Sequence, residues 1–173
     1  LVGSEMCIRD SYRACDYVGM TPIISSNQSE IDKSDAIILP GVGAFGDAMK
    51  SLKEGNLIDP IYNFINTGKI VVGICLGMQL FLNKSEESSK ENGLGLIEGE
   101  CLHFSKFFQN TNTKVPQIQW NTIYSENKID FNEGSPFNSL KQNEFMFFVH
   151  SFFVKTKNKN DILALSKYGD IEY

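Results

Sequence analysis

Residues 70–77 constrain the fold of this chain more than any other stretch. Ile70, Val71, Val72, Gly73 and Ile74 are apolar without alternation and rich in β-branching, which predicts a central parallel strand covered on both faces. Cys75 follows at once, with Gly73 and Gly77 two residues to either side and the helical-looking run 78–82 next. Strand, tight turn and helix with a nucleophilic side chain at the turn is the layout of a nucleophile elbow. Such a turn holds the cysteine in a backbone conformation that side chains seldom adopt, and the glycines let neighbouring segments approach without Cβ clashes. The sulfur then lies at the carboxyl end of the sheet, where open α/β folds bind ligands. The following helix N-terminus favours thiolate and offers N–H groups to an oxyanion. A cysteine after a strand is more often a small buried apolar side chain; the paired glycines and the strand–turn–helix context outweigh that here.

The flanking sequence supplies the rest of an α/β domain. A short helix over residues 12–18 is stopped by Gly19, where a C-terminal glycine is expected. A strand is expected at 21–25, and the apolar run 36–39 ends at Pro40-Gly41-Val42-Gly43 as a buried strand entering a glycine-rich loop. Ala48, Met49 and Leu52 share one helical face; Leu57, Ile58, Ile61, Phe64 and Ile65 repeat with helical spacing up to Thr67-Gly68. Strand, helix, strand implies a right-handed crossover and a doubly wound sheet. Beyond the charged stretch 83–92, the short runs 94–97, 101–104, 115–123, 145–149, 152–155 and 162–166 read as antiparallel β-hairpins, with 127–142 a surface loop.

Composition narrows the function classes. The chain has 173 residues, 42% hydrophobic and 12% aromatic, enough for one domain with a single core. A net charge of -5 with Lys and Asp/Glu interspersed gives no basic stripe, so no nucleic-acid partner is expected. No apolar run approaches the ~20 residues of a membrane span, and the N-terminus lacks the apolar centre of a signal peptide. A soluble, cytoplasmic protein is expected. Cys7, Cys15, Cys75 and Cys101 are irregularly spaced with few histidines nearby, so neither a disulfide framework nor a metal site is expected. Residues 1–11, LVGSEMCIRDS, show neither helical nor strand periodicity. SEMCIRDS resembles the translation of a sequencing adapter, so 1–11 are set apart as a non-native tract and 12–173 as the domain proper.

The loop Pro40-Gly41-Val42-Gly43 is the second chemical signal. Two glycines let its backbone N–H groups turn toward a developing negative charge, and the amides of Val42 and Leu76 are placed by sequence to form an oxyanion hole. Its spacing fits neither a dinucleotide nor a P-loop fingerprint, and no cofactor is expected. With LPGVGAFGDAM (residues 39–49), GICLGMQLF (73–81), GLGLIEG (93–99), VPQIQWN (115–121) and FVHS (148–151) on the page, the chain resembles the class I (triad-type) glutamine amidotransferases. Within them it resembles the glutaminase subunits of imidazole glycerol phosphate synthase. The resemblance runs from about residue 12 to residue 173.

That resemblance implies a flavodoxin-like, mostly parallel doubly wound sheet with added antiparallel β-hairpins, and a cytosolic heterodimer with a (β/α)8-barrel cyclase. It assigns Cys75 as the nucleophile that forms a γ-glutamyl thioester, and Val42 and Leu76 as oxyanion donors. Gly41, Gly43, Gln79, Ser151 and Phe152 fall in the glutamine-binding segments, and Trp120 and Asn121 in the partner-facing region. From the sequence alone His150 would be nominated as the base; the resemblance instead puts the triad histidine and glutamate in a later Gln-Phe-His-Pro-Glu segment. That segment is expected beyond Tyr173, and the family's first strand before residue 12. His150 is therefore read as structural, Glu172 is not the triad acid, and the 173 residues alone are expected to be inactive. Gln119 stands where the family commonly has glycine, which leaves open a paralogue serving surface-sugar synthesis. A non-catalytic partner-binding module is the remaining alternative.

Overall fold

Parallel pairing of two six-residue strands organises the part of the chain up to Glu100, and antiparallel hairpins organise the part from Cys101 onward; these are separate compact units. The computed structural model describes residues 5–109, 112–125, 131 and 135–173. In chain order the first unit contains α1 (Glu5–Tyr17), α2 (Gln28–Lys33), β1 (Ala36–Gly41), α3 (Phe45–Glu54), α4 (Ile58–Asn66), β2 (Ile70–Cys75), α5 (Leu76–Gln79) and β3 (Lys84–Ser85). β4 (Gly99–His103) carries the chain into the second unit, which adds β5 (Gln117–Ile123), β6 (Glu144–His150), β7 (Phe152–Thr156), β8 (Lys167–Tyr168) and β9 (Ile171–Glu172).

The crossover from β1 through α3 and α4 to β2 follows from the apolar spacing. Phe45, Ala48, Met49 and Leu52 bury one face of α3, and Pro60, Ile61 and Phe64 bury one face of α4. With Leu76, Leu80, Leu82 and Leu94 they form the first core. Thr67 caps α4, and Gly68 turns the chain at φ 80°, the left-handed conformation that glycine adopts without penalty. In the second unit β5 and β6 pair antiparallel, β4 pairs with β7, and β8 pairs with β9. Its core is Leu102, Phe104 and Phe153, with Phe108, Val115, Tyr168, Ile171 and Tyr173 packed on it.

Four sequence expectations change. The tract thought to lack helical pattern is helical from Glu5, so the helix expected at 12–18 is in fact α1. Its partly buried positions are Cys7, Ile8, Ser11 and Cys15; they share a helical face, but a serine and two cysteines give almost no hydrophobic contrast. Residues 21–25 form no strand, because no ladder partner stands beside them among the described residues, and Ile23 and Ile24 are exposed. β2 is not covered on both faces: Ile70, Val72 and Ile74 are exposed at alternate positions. Residues 94–97 stay irregular, and 162–166 contribute a single bridge, Leu165 to Tyr124. The expected loop at 127–142 is described only at 131 and 135–142, where the amides of Asn138 and Leu140 close two turns onto Ser135 and Phe137; the rest lies outside the described residues.

Candidate functional site

β1 and β2 are in parallel register, with Leu39 beside Gly73, Pro40 beside Ile74 and Gly41 beside Cys75. The glycine-rich turn and the cysteine therefore leave the sheet at the same level. Cys75 has φ 55° and ψ -115°, a region that side chains occupy at a cost of roughly 1–3 kcal/mol and only when the surroundings over-determine it. Those surroundings are visible at its glycines. A Cβ on Gly73 would lie 2.6 Å from the Met78 backbone, and one on Gly77 would lie 1.7 Å from the Leu39 carbonyl oxygen. Only glycines let the turn fold back on its own strand and on β1.

The Cys75 residue is solvent-accessible, yet partial burial pushes its thiol above the ordinary cysteine value. The hydrogen bond from the Leu76 amide pulls it down, and Cys7 on α1 pushes it up again. The thiolate preference expected from the following helix is thus reversed. α5 is only four residues long, so few aligned peptide dipoles oppose the desolvation. A thiol so held needs a base to take its proton.

Past Gly41 the loop comprises Val42, Gly43 and Ala44 before α3 begins. Val42 is exposed, and Gly43 sits at φ 98° with open space where a Cβ would be. Ala44, the N-cap of α3, makes no side-chain cap. The cap comes from across the unit: the Phe45 amide donates to Glu87 Oε2 at 2.7 Å. Sequence reasoning missed Glu87, because in the run Glu86-Glu87-Ser88-Ser89-Lys90-Glu91 a capping carboxylate reads like any solvated acid. Gln79, at the end of α5, is buried.

The remaining sequence-nominated residues lie in the second unit. His150 ends β6, where its Nδ1–H donates to the Phe152 carbonyl at 2.8 Å and its Nε2 lies 3.3 Å from the Tyr173 hydroxyl. Burial lowers its pKa, partly offset by the bond to Phe152. The Ser151 carbonyl accepts from the Phe104 amide at 3.1 Å. Trp120 on β5 is 65% exposed and lies beside Phe147 of β6, ring centroids 5.5 Å apart. Asn121 turns inward on its own fold, donating to the Lys167 carbonyl at 2.8 Å and accepting from the Thr122 amide at 2.9 Å. Glu172 accepts from the Tyr124 hydroxyl at 2.6 Å, and burial together with this bond pushes the phenol up to about 12. Among the described residues no cluster of His, Cys, Asp and Glu has the arrangement of a metal site, and no helix is long and apolar enough to cross a membrane.

Residues 17–138 match the family of CobB/CobQ-like glutamine amidotransferase domains. The imidazole glycerol phosphate synthase subunit HisH of Wolinella succinogenes is 40% identical over 152 residues, covering 88% of this chain and 72% of that protein. The protein of the same name from Methanosarcina mazei is 42% identical over 166 residues, covering 96% and 76%. The chain belongs to the HisH family of glutamine amidotransferases. A solved glutamine amidotransferase structure superposes with a TM-score of 0.67 at 14% identity, over 95% of this chain and 81% of that one. So low an identity bears on the fold alone, and it agrees with an α/β architecture that combines a parallel sheet with antiparallel hairpins.

Proposed function

We propose that this chain is the glutaminase subunit of an imidazole glycerol phosphate synthase, converting glutamine and water to glutamate and ammonia for a (β/α)8-barrel cyclase in histidine biosynthesis. The observation that carries the reading is Cys75, held at φ 55° on the end of β2 with Gly41 as its ladder neighbour. Cys75 Sγ attacks the glutamine carboxamide carbon, its proton passing to a base that returns it to the leaving ammonia. The γ-glutamyl thioester so formed is cleaved by water to glutamate and free thiol. Negative charge on the carbonyl oxygen is met by the Leu76 amide, already directed at the sulfur, and by the Val42 amide from the neighbouring loop. On this reading Gly41, Gly43 and Gln79 match glutamine-contacting positions of the family, and Ser151 and Phe152 match a segment whose backbone groups hold the amino-acid end of the substrate. His150 is structural on this reading, since the resemblance puts the triad histidine in a later segment, and its Nδ1–H donates to the Phe152 carbonyl.

Trp120 and Asn121 belong to the surface that meets the cyclase, and the two subunits form a cytoplasmic heterodimer. The exposed indole and the apolar strand face around it support this. The deciding experiment uses the full-length protein assembled with its cyclase. Cys75→Ala is expected to abolish glutamine-dependent turnover and leave ammonia-dependent turnover intact. Glutamine hydrolysis at the wild-type rate in that variant would rule the mechanism out.

A further inference from the structure

The helix that follows Cys75 is short and ends loosely. The Leu80 amide reaches back to the Leu76 carbonyl at 2.9 Å, but the Phe81 and Leu82 amides reach only three residues, to Met78 at 3.1 Å and Gln79 at 3.2 Å. The Asn83 amide then leaves the helix and donates to the Gly99 carbonyl at 3.1 Å. The carbonyls of Leu80, Phe81 and Leu82 thus fall past the last helical amide. Residues 93–99 supply their donors: the amides of Leu94, Ile97 and Gly95 reach them at 2.7, 3.0 and 3.1 Å respectively. The fit is close, since a Cβ on Gly93 would lie 2.1 Å from the Leu82 carbonyl oxygen. Asn83 clasps both ends of this strap, its carbonyl accepting from the Gly93 amide at 2.9 Å and its Oδ1 from the Gly99 amide at 2.9 Å. The Tyr62 hydroxyl on α4 donates to the Leu94 carbonyl between them.

We infer that the strap 93–99 is the C-terminal cap of the elbow helix, and that Asn83, which clasps its two ends, is a positioning residue for Cys75. The φ of 55° at Cys75 persists only where the surroundings over-determine it, and a helix of four residues contributes little rigidity of its own. Phe81 links the strap to the strained turn. A Cβ on Gly73, two residues before the nucleophile, would lie 2.7 Å from the Phe81 ring, while the Phe81 carbonyl is held by the strap. Freeing Gly99 from the Asn83 side chain loosens one end of the strap, and with it the carbonyls that seat α5. The Leu76 amide and Cys75 then gain room to move, and no group is removed from the reaction.

This inference rests on the glutaminase reading, so its test has one arm that needs no activity. In the full-length protein with its cyclase, Asn83→Ala is expected to lower kcat for glutamine hydrolysis by roughly 5- to 30-fold, between the weight of one lost hydrogen bond and that of a misplaced catalytic group. KM should stay within about two-fold of wild type. Asn83→Asp keeps an Oδ acceptor for Gly99 and is expected to recover most of the loss. Tyr62→Phe, which releases the strap at Leu94 and leaves Asn83 in place, should move kcat the same way by less. Hydrogen exchange followed by mass spectrometry should speed up in Asn83→Ala over residues 79–82 and 94–99 and stay unchanged over 48–54 of α3. Wild-type complex without glutamine hydrolysis would sink the function and leave exchange to decide the cap alone. Active wild type with unaltered kcat in both Asn83→Ala and Tyr62→Phe overturns the positioning role. So does faster exchange confined to 94–99, since the strap would then not hold the helix, or faster exchange everywhere, which marks a general loss of stability.

Discussion

At the scale of single residues, the site depends on what is missing from two side chains and on what surrounds a third. Gly77 lets α5 press against β1; adding a methyl there sets it against the Leu39 carbonyl, a backbone atom with no freedom to step aside. Gly77→Ala is therefore expected to destabilise the protein by ~3 kcal/mol, the upper part of the range for overpacking. Gly68→Ala meets open space at φ 80° and should cost only ~1 kcal/mol, the left-handed penalty alone. Denaturant midpoints of the two variants check the order, and equal costs would mean that the close approach at Gly77 relaxes. Cys75 carries its own test, because burial and Cys7 raise its thiol more than the Leu76 amide lowers it. Without partner or substrate, alkylation of Cys75 should climb with pH up to values above those of an ordinary thiol. A rate already flat at neutral pH would show a thiolate, and the need for a base would fall away.

At the scale of elements, the end of β6 makes a pH-sensitive joint. His150 is held between the rings of Phe104, Phe148 and Tyr173, with the Phe152 carbonyl on Nδ1 and the Tyr173 hydroxyl, itself bonded to Gln117 Oε1, near Nε2. Burial keeps its pKa below the ordinary value of 6.5, so the folded unit takes up this proton less readily than the unfolded chain. The neutral ring's stabilisation is whole above that ordinary value and is lost as pH falls from it through the lowered folded value. The melting temperature should fall over that window in wild type and fall less in His150→Gln; identical slopes would show that His150 is not the group responsible. The elements themselves were legible to differing degrees. β1, α3, α4, β2 and the β4 to β7 hairpins announce themselves through runs or helical spacing of large apolar residues, and the Cys75 elbow through its glycines. The second half of α1 was read as the helix at 12–18, but its first turns were hidden because the inward face there offers only Ile8 beside Cys7 and Ser11, and α2 was hidden because six residues show no period. Residues 21–25 looked like a strand because β-propensity is local, whereas a strand needs a partner. Glu87 was illegible because a carboxylate acquires its role only when the fold brings an amide to it from 42 positions away.

At the scale of the whole molecule, apolar surface stays uncovered in both units. In the first it is Ile70, Val72 and Ile74 on β2; in the second it is Ile118, Trp120, Phe145, Phe147 and Val149, which alternate on paired β5 and β6. Contiguous exposed apolar faces mark surfaces that are covered in use or that associate, so the 173-residue chain is expected to self-associate as its concentration rises and to bind a hydrophobic dye. Phe147→Ser should reduce both in light scattering and fluorescence, and an unchanged response would locate the sticky surface elsewhere. Trp120 offers a sharper test of the proposed cyclase contact, because it is the chain's single tryptophan. Its indole is large and exposed, the kind of side chain that anchors an interface once it is desolvated. With 5-fluorotryptophan incorporated into this subunit alone, the fluorine resonance that disappears in Trp120→Phe reports on this site. In the free full-length protein that resonance should shift between light and heavy water, as an exposed ring does. Titration with cyclase should move it, and once the complex forms the solvent isotope shift should collapse. A complex verified by sedimentation in which the resonance neither moves nor loses its isotope shift would place the cyclase on another face and free Trp120 for a different partner.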